Sequence, residues 1–186
     1  MLLHLRRSLV AALFFLVLCG LAYPLAGTGL AQVAFHHQAN GSIGANGSSL
    51  IGQQWTGPRW FQGRPSATVG PTGSPSPYDA MASGASNLGP RSTVLASHVA
   101  ARAAALRKEG ITPTAGMVTS SGSGLDPDIS PAAAYAQVGA VARARHLPVA
   151  AVRRLVTSHI SPAQLGFLGE PVVNVLSLNE ALASLR

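Results

Sequence analysis

From Ser8 to Leu25 the chain carries no charged residue, and ten of these eighteen positions are Leu, Val or Phe. As a helix the stretch spans about 27 Å, close to the ~30 Å hydrocarbon core of a bilayer. Its Leu, Val and Phe side chains contribute roughly 3–6 kcal/mol towards insertion. Pro24 falls in the last turn, where a missing hydrogen bond costs little, and Tyr23 sits where an interfacial aromatic is favoured. The pattern predicts a transmembrane helix. It divides the chain into residues 1–7 before the membrane, a span at 8–26, a stalk or loop at 27–48 and a folded domain at 49–186.

The flanking charges orient the helix. Arg6 and Arg7 precede it, and the next Lys or Arg is Arg59. Under the positive-inside rule the N-terminus stays in the cytoplasm and the bulk of the chain lies outside it. A cleaved secretory signal is the rival reading, with Gly29-Leu30-Ala31 offering small residues for cleavage before Gln32. The apolar stretch, however, exceeds the usual h-region of about 7–15 residues. A lipoprotein signal at Cys19 wants a small residue before it and meets Leu18 instead. Cys19 is read as a lipid-facing or helix-packing residue.

Composition narrows what the outer domain can be. Cys19 is the single cysteine, so the domain has no disulfide and depends on its own core. Roughly 150 residues suffice for one core. Beyond Arg6 and Arg7, eleven Lys/Arg face six Asp/Glu, and the basic residues are scattered as Arg102/Arg107/Lys108, Arg143/Arg145 and Arg153/Arg154 on predicted solvated helix faces. Aromatics are only 5% and are not interleaved with a basic run, which argues against a nucleic-acid partner.

Residues 27–48 are rich in Gly, Asn, Ser and Gln. Ser49 to Trp55 reads as a first strand, and residues 57–92 are too dense in proline and glycine for long helices or central strands. An extended excursion of that length is often functional. Thr93 to Lys108 then places Leu95, Val99, Arg102 and Leu106 on one helical stripe that ends at Gly110. Ala115 to Thr119 is a strand candidate. Ser130-Pro131 is an N-cap followed by proline at the first helical position, and Ser161-Pro162 repeats the device. Ser177-Leu178-Asn179-Glu180 has the form of a capping box, with Leu176 and Ala181 as its staple. Val149, Val152 and Val156 form one face of a helix opened by Pro148, and Val172 to Leu176 reads as a strand. Short strands mixed with helices predict an α/β or α+β domain, with the strand order unreadable.

The most distinctive stretch is Ser120 to Pro131, with Ser121, Gly122, Ser123, Gly124, Leu125, Asp126 and Pro127 at its centre. Glycines between hydroxyls permit unusual backbone angles and can present N–H groups to a ligand or partner. A hydrolase elbow needs glycines two positions away on both sides of its serine, and neither Ser121 nor Ser123 has them. The third glycine of a dinucleotide fingerprint is absent, and no P-loop lysine follows. Asp126 and Asp128 beside prolines fit a turn better than a divalent-ion site. His36 and His37 stand on a predicted loop without a third ligand, while His98, His146 and His159 read as solvated or capping residues. Asn40-Gly41-Ser42 and Asn46-Gly47-Ser48 fit the glycosylation acceptor pattern, which matters only in a secretory eukaryote.

Several landmarks, taken in order, resemble the C subunit of the bacterial Kdp potassium-transporting P-type ATPase. They are the basic-then-apolar N-terminus, Leu50-Ile51-Gly52-Gln53, Trp60-Phe61-Gln62-Gly63-Arg64-Pro65-Ser66 and Ser86-Asn87-Leu88-Gly89-Pro90. Val118 to Ala134 follows, then Leu165-Gly166-Phe167-Leu168-Gly169-Glu170-Pro171 with Val173-Asn174-Val175. The motif positions carried over are Gln53, Gly63, Arg64, Pro65, Asn87, Gly89, Pro90, Gly169, Pro171 and Asn174. The chain departs from the pattern across Pro71–Tyr78, at Ala85 and at Asp128.

The resemblance implies a non-catalytic subunit in a bacterial plasma membrane. Its partners would be a channel-like potassium subunit, a P-type ATPase subunit and the lipid bilayer. This chain would bind no cofactor, with ATP and Mg handled by the ATPase subunit. It would serve assembly and cap the channel-like subunit near the ion entrance. The family has also been credited with assisting ATP binding, which an outward-facing domain opposes. A membrane-anchored hydrolase using Ser121 or Ser123, and a secreted binding protein cleaved after Ala31, are the alternatives from other classes.

Overall fold

Pro24 shapes the first element. The computed structural model describes residues 1–185 and separates into two units, Met1–Gly47 and the remainder from Ser48. In the first unit, α1 (Leu2–Val17) and α2 (Tyr23–Ala34) are joined by a π-helical turn at Leu18–Ala22, making one helical run from Leu2 to Ala34. Tyr23 N–H bonds to the Leu18 carbonyl, five residues back rather than four. Pro24 has no N–H to offer the carbonyl of Gly20, and one wide turn absorbs the gap in the ladder. The run is long and apolar enough to cross a membrane, and none of its most apolar window is buried within the protein. It continues through residues 27–34, which were expected as stalk; Leu30, Ala31 and Val33 extend the apolar surface, and nothing there breaks a helix.

A short α3 (His36–Ala39) follows, so His36 and His37 are helical rather than in a loop. It ends where the Asn40 carboxamide donates to Gln32 Oε1 at 3.0 Å and to the His36 carbonyl at 2.6 Å. β1 (Ile43–Gly44) and β2 (Gly47–Ser48) form a two-stranded hairpin.

In the second unit the remaining elements are α4 (Thr93–Lys108), α5 (Ala115–Val118), β3 (Asp128–Ile129), α6 (Pro131–Arg145), α7 (Val149–Ser158), β4 (Ile160–Ser161), β5 (Val172–Asn174) and α8 (Val175–Ser184). The sheet order is β3-β5-β4, antiparallel throughout, with Asp128 opposite Asn174, Ile129 and Ile160 opposite Val173, and Ser161 opposite Val172. The domain is therefore a mixture of helix and antiparallel sheet. Its core holds Phe61, Ala134, Val141, Val152, Val156, Val173, Leu178 and Leu182.

Local chemistry explains the helix ends. Ser130 Oγ accepts from Ala133 N–H at 3.2 Å with Pro131 behind it, as its spacing predicted. α6 ends at His146, which takes the left-handed conformation at φ 58, while Leu147 N–H reaches back to the Ala142 carbonyl at 3.0 Å. Histidine here fills the position usually given to glycine. α4 ends in the same manner at Gly110, with Ile111 N–H on the Leu106 carbonyl at 2.9 Å. Its Leu95, Val99, Arg102 and Leu106 stripe is half-buried. α7 buries Val152 and Val156 but leaves Val149 54% exposed.

Other expectations are corrected. Residues 49–55 form no strand: Gly52 N–H makes one bond to the Leu125 carbonyl at 2.7 Å, and the chain moves on. Residues 115–118 are one helical turn rather than a strand, because the adjacent Met117 and Val118 are both buried, which alternation across a sheet would not allow. No helix follows Ser161-Pro162. Leu165, Gly166 and Gly169 there have φ of 53, 81 and 82, outside the helical region. The cap of α8 is Asn174, whose Oδ1 accepts from Ser177 N–H at 3.2 Å, so Ser177 lies inside the first turn and the strand stops at Asn174. Residues 57–92 contain no helix or strand, only an isolated bridge between Val69 and Pro75.

Candidate functional site

The distinctive turn and the first half of the excursion meet around Tyr78. Ser121 N–H bonds to the Pro65 carbonyl at 3.1 Å, and the Ser123 carbonyl accepts from Gly84 N–H at 2.8 Å and from Ser83 Oγ at 3.0 Å. Arg64 Nη1 lies 3.0 Å from Asp126 Oδ2. The Tyr78 hydroxyl donates to the Arg64 carbonyl, and Tyr78 N–H donates to Ser66 Oγ at 3.0 Å. Glycines make these approaches possible. A β-carbon at Gly52 would sit 2.5 Å from the Asp126 carbonyl oxygen and 2.6 Å from the Tyr78 ring, and one at Gly63 would sit 2.5 Å from the Tyr78 hydroxyl.

Within the turn the residues divide. Gly124 is buried at φ 70, and a β-carbon there would meet Thr68 Cγ2 at 2.5 Å and the Gly84 carbonyl oxygen at 2.8 Å. Gly122 is exposed, with nothing within 4 Å of such an atom and no positive φ. The Ser123 hydroxyl accepts from Leu125 N–H at 3.1 Å, and Asp126 Oδ1 accepts from Asp128 N–H at 3.1 Å. Both are local turn braces of the kind short polar side chains provide. Leu125 is buried, and the Pro127 carbonyl takes the N–H of Val175 at 3.0 Å.

Asn174 links three segments. Its carboxamide donates to Asp128 Oδ1 and to the Ser49 carbonyl, each at 3.0 Å, while its oxygen caps α8. Gln53 lines a narrow crevice with Gly63, Tyr78, Asp126 and Pro127. Gln53, Gly63, Arg64, Pro65, Asn174 and the Ser121–Pro127 turn are thus gathered into one region. Asn87, Gly89, Pro90 and Gly169 are not: all four are exposed, and Gly89 accepts Ser92 N–H at 2.9 Å on the approach to α4. Pro171, also exposed, edges a cleft of about 440 Å³ with Arg64, Asp126, Asp128 and Glu170.

The electrostatics are those of a braced scaffold. Tyr78 is pushed up to about 12, first by burial and then by the charge of Asp126, with Arg64 opposing. Burial raises the Asp128 carboxyl from its ordinary value, countered by its bond from Asn174 and reinforced by Asp126. Among the described residues no three or more His, Cys, Asp or Glu side chains group to hold a metal, and neither Ser121 nor Ser123 hydrogen-bonds to a histidine.

Sequence reasoning overlooked two carboxamides. Gln137 of α6 receives Gln62 N–H at 2.7 Å and donates to the Gln62 carbonyl at 3.1 Å. Asn179 of α8 treats Phe61 in the same way, at 2.9 Å in both directions. Each was legible as a lone polar residue on a buried stripe: Gln137 stands between Ala133 and Val141, and Asn179 between Leu178 and Leu182. The basic residues are also less free than expected. Arg102 donates to the Val118 carbonyl at 3.0 Å, Arg143 donates to that of Glu109 at 3.1 Å, and Arg145 stacks 4.6 Å from the Trp60 ring centroid.

These features define a small mixed helix-and-sheet domain that follows an apolar N-terminal helix in the chain, with Arg64, Ser123, Asp126 and Asn174 committed to internal bracing. The family model for KdpC, the c chain of the K+-transporting ATPase, matches residues 5–184. A potassium-transporting ATPase KdpC subunit from Sorangium cellulosum is 53% identical over 195 residues, covering all of both chains. That of Methylobacterium nodulans is 50% identical over 198 residues, with 100% of this chain and 98% of the relative covered. That of Gemmatimonas aurantiaca is 51% identical over 190 residues, with 98% and 93% covered. The chain belongs to the KdpC family, an accessory subunit of the potassium-transporting ATPase.

Proposed function

We propose that this protein holds an ATP-driven potassium pump together as a subunit without chemistry of its own. One helix anchors it, with residues 1–7 in the cytoplasm and the domain from residue 49 outside. The domain caps a channel-like potassium subunit near the ion entrance, beside a P-type ATPase subunit that handles ATP and Mg. The bilayer is its third partner.

One observation carries this reading. Arg64, Ser123, Asp126 and Asn174, the polar side chains best placed to act on a substrate, are bonded to one another or to nearby backbone. A site built for turnover leaves such groups facing a ligand. The Ser121–Pro127 turn instead presents a fixed shape, suited to being read by a partner. Arg6 and Arg7, with no further Lys or Arg until Arg59, support the orientation.

The test is co-purification in detergent from native membranes grown at limiting potassium. Tagged protein should bring down both larger subunits, and deleting this chain should abolish their association and potassium-dependent ATPase activity. A tagged chain recovered alone, with pump activity indifferent to its deletion, overturns the proposal. An enzyme reporter fused after Arg186 should be active only outside the cytoplasm.

A further inference from the structure

The loop between β4 and β5 carries Leu165 at 83% exposure, Phe167 at 75% and Leu168 at 50%. Elsewhere from Ser48 onward, the exposed large apolar side chains of the described residues, Leu50, Val69, Met81, Val94 and Val149, are isolated along the sequence. The loop is a built structure. Gln164 and Leu168 exchange both backbone hydrogen bonds, at 2.9 and 2.8 Å, and Gly166 N–H closes on the Ala163 carbonyl at 3.0 Å. Leu165 is held at φ 53, a conformation glycine adopts freely and leucine only at a cost. Its side chain recovers none of that cost by burial within the domain. A strained, rigid and exposed apolar tip is the signature of a contact made with something else.

We propose that Leu165, Phe167 and Leu168 form a finger that seats in an apolar socket on another subunit of the potassium-transporting ATPase, with a basic group at the socket's rim facing Glu170. The proposal rests on the assembly role above. Charge argues against a lipid surface as the occupant. Between Arg154 and Arg186 there is no Lys or Arg, while Glu170 and Glu180 lie in that stretch, whereas interfacial anchors pair apolar residues with cations. Area argues against a second copy of this chain. An aromatic side chain buries about 150–250 Å², so three side chains fall well short of the ~800 Å² per partner of a free-standing interface. A contact this small serves an assembly already held elsewhere, and membrane anchoring of both partners raises their effective concentration.

The experiment uses the full chain in membranes, with Cys19→Ala and Phe167→Cys, labelled by a membrane-impermeant maleimide. Labelling should be fast when the chain is expressed alone and at least about tenfold slower in the assembled complex. Phe167→Ser with Leu168→Ser should cut recovery of the larger subunits by about tenfold or more, the loss expected from an unburied phenylalanine, while the thermal midpoint of the chain is unchanged. Leu165→Gly should weaken recovery and leave that midpoint equal or higher, because it relieves the backbone. Equal labelling in both settings overturns the proposal. Slow labelling of the chain alone does so too, since lipid or a second copy then covers the finger. Deletion of the whole chain separates the two readings. If the complex survives deletion, the assembly role fails; if it is lost on deletion while labelling stays fast in the complex, only the finger fails.

Discussion

Phe61 and Asn179 lie 118 positions apart, yet Asn179 binds the backbone of Phe61 through both its N–H and its carbonyl, at 2.9 Å each, with both residues fully buried. One residue on, Gln137 does the same for Gln62. Two helices therefore offer carboxamides where a neighbouring strand would offer a ladder. A Pro/Gly-rich segment that joins no sheet is held in place, and its buried peptide groups are satisfied.

Asn179→Leu should consequently be among the most damaging single changes in the domain. It leaves a buried donor and a buried acceptor unpaired, each costing about 1–3 kcal/mol. The full chain in detergent should show a clear fall in thermal midpoint. An unchanged midpoint would mean that water or another group replaces the amide.

Gly124 and Gly122 offer a comparison inside one motif. Gly124→Ala adds an atom where Thr68 and the Gly84 carbonyl already stand, at a positive φ, and should destabilise by at least about 1 kcal/mol and lower pump assembly. Gly122→Ala meets nothing and should be neutral. Thermal melts of both variants, with co-purification alongside, decide the matter. Equal effects would show that close approach is not what Gly124 provides.

Tyr78 predicts an alkaline weakness. Its folded pKa of about 12 stands above the ordinary value of 10, so its contribution is complete below pH 10 and is lost as pH rises towards 12. In ultraviolet titration of the full chain, one tyrosine should ionise last, and Tyr78→Phe should remove that step. The variant should also lose less stability between pH 10 and 12 than the unaltered protein.

Asp128 predicts the opposite end of the scale. Burial raises its pKa, so its favourable contribution is present at acid pH and is lost as pH rises through the folded value. Asp128→Asn keeps an oxygen for the Asn174 amide and removes a half-buried charge. It should be at least as stable as the unaltered protein at neutral pH, and the difference should shrink as pH falls. A marked loss at pH 7 would assign the carboxylate a role beyond the Asn174 bond.

Nucleotide binding is the sharpest functional check. No Gly-rich loop here is followed by the lysine and hydroxyl that grip phosphate and magnesium. Calorimetry of the full chain in detergent at physiological salt should show no saturable micromolar binding of Mg-ATP. Such binding, lost on Ser123→Ala, would make the Ser121–Pro127 turn a chemical site.

By itself the sequence determined what local rules can determine. An uncharged apolar run specifies a helix fit for a membrane, Ser130-Pro131 starts α6, and Gly110 stops α4, since each depends only on residues within a turn or two. The ordered landmarks also pointed to the family that the comparisons then showed. Tertiary structure decided the rest. Gly52 looked like part of a strand but leaves space for the Tyr78 ring, and Ser177 looked like a cap until Asn174, paired with Asp128 across the sheet, took that place. Asn179 read as an interior position of a capping box and became a partner for Phe61. The deciding partners, Tyr78 for Gly52, Asp128 for Asn174 and Phe61 for Asn179, lie dozens of positions away in the chain, and a buried polar group takes whichever partner the packed core brings within about 3 Å.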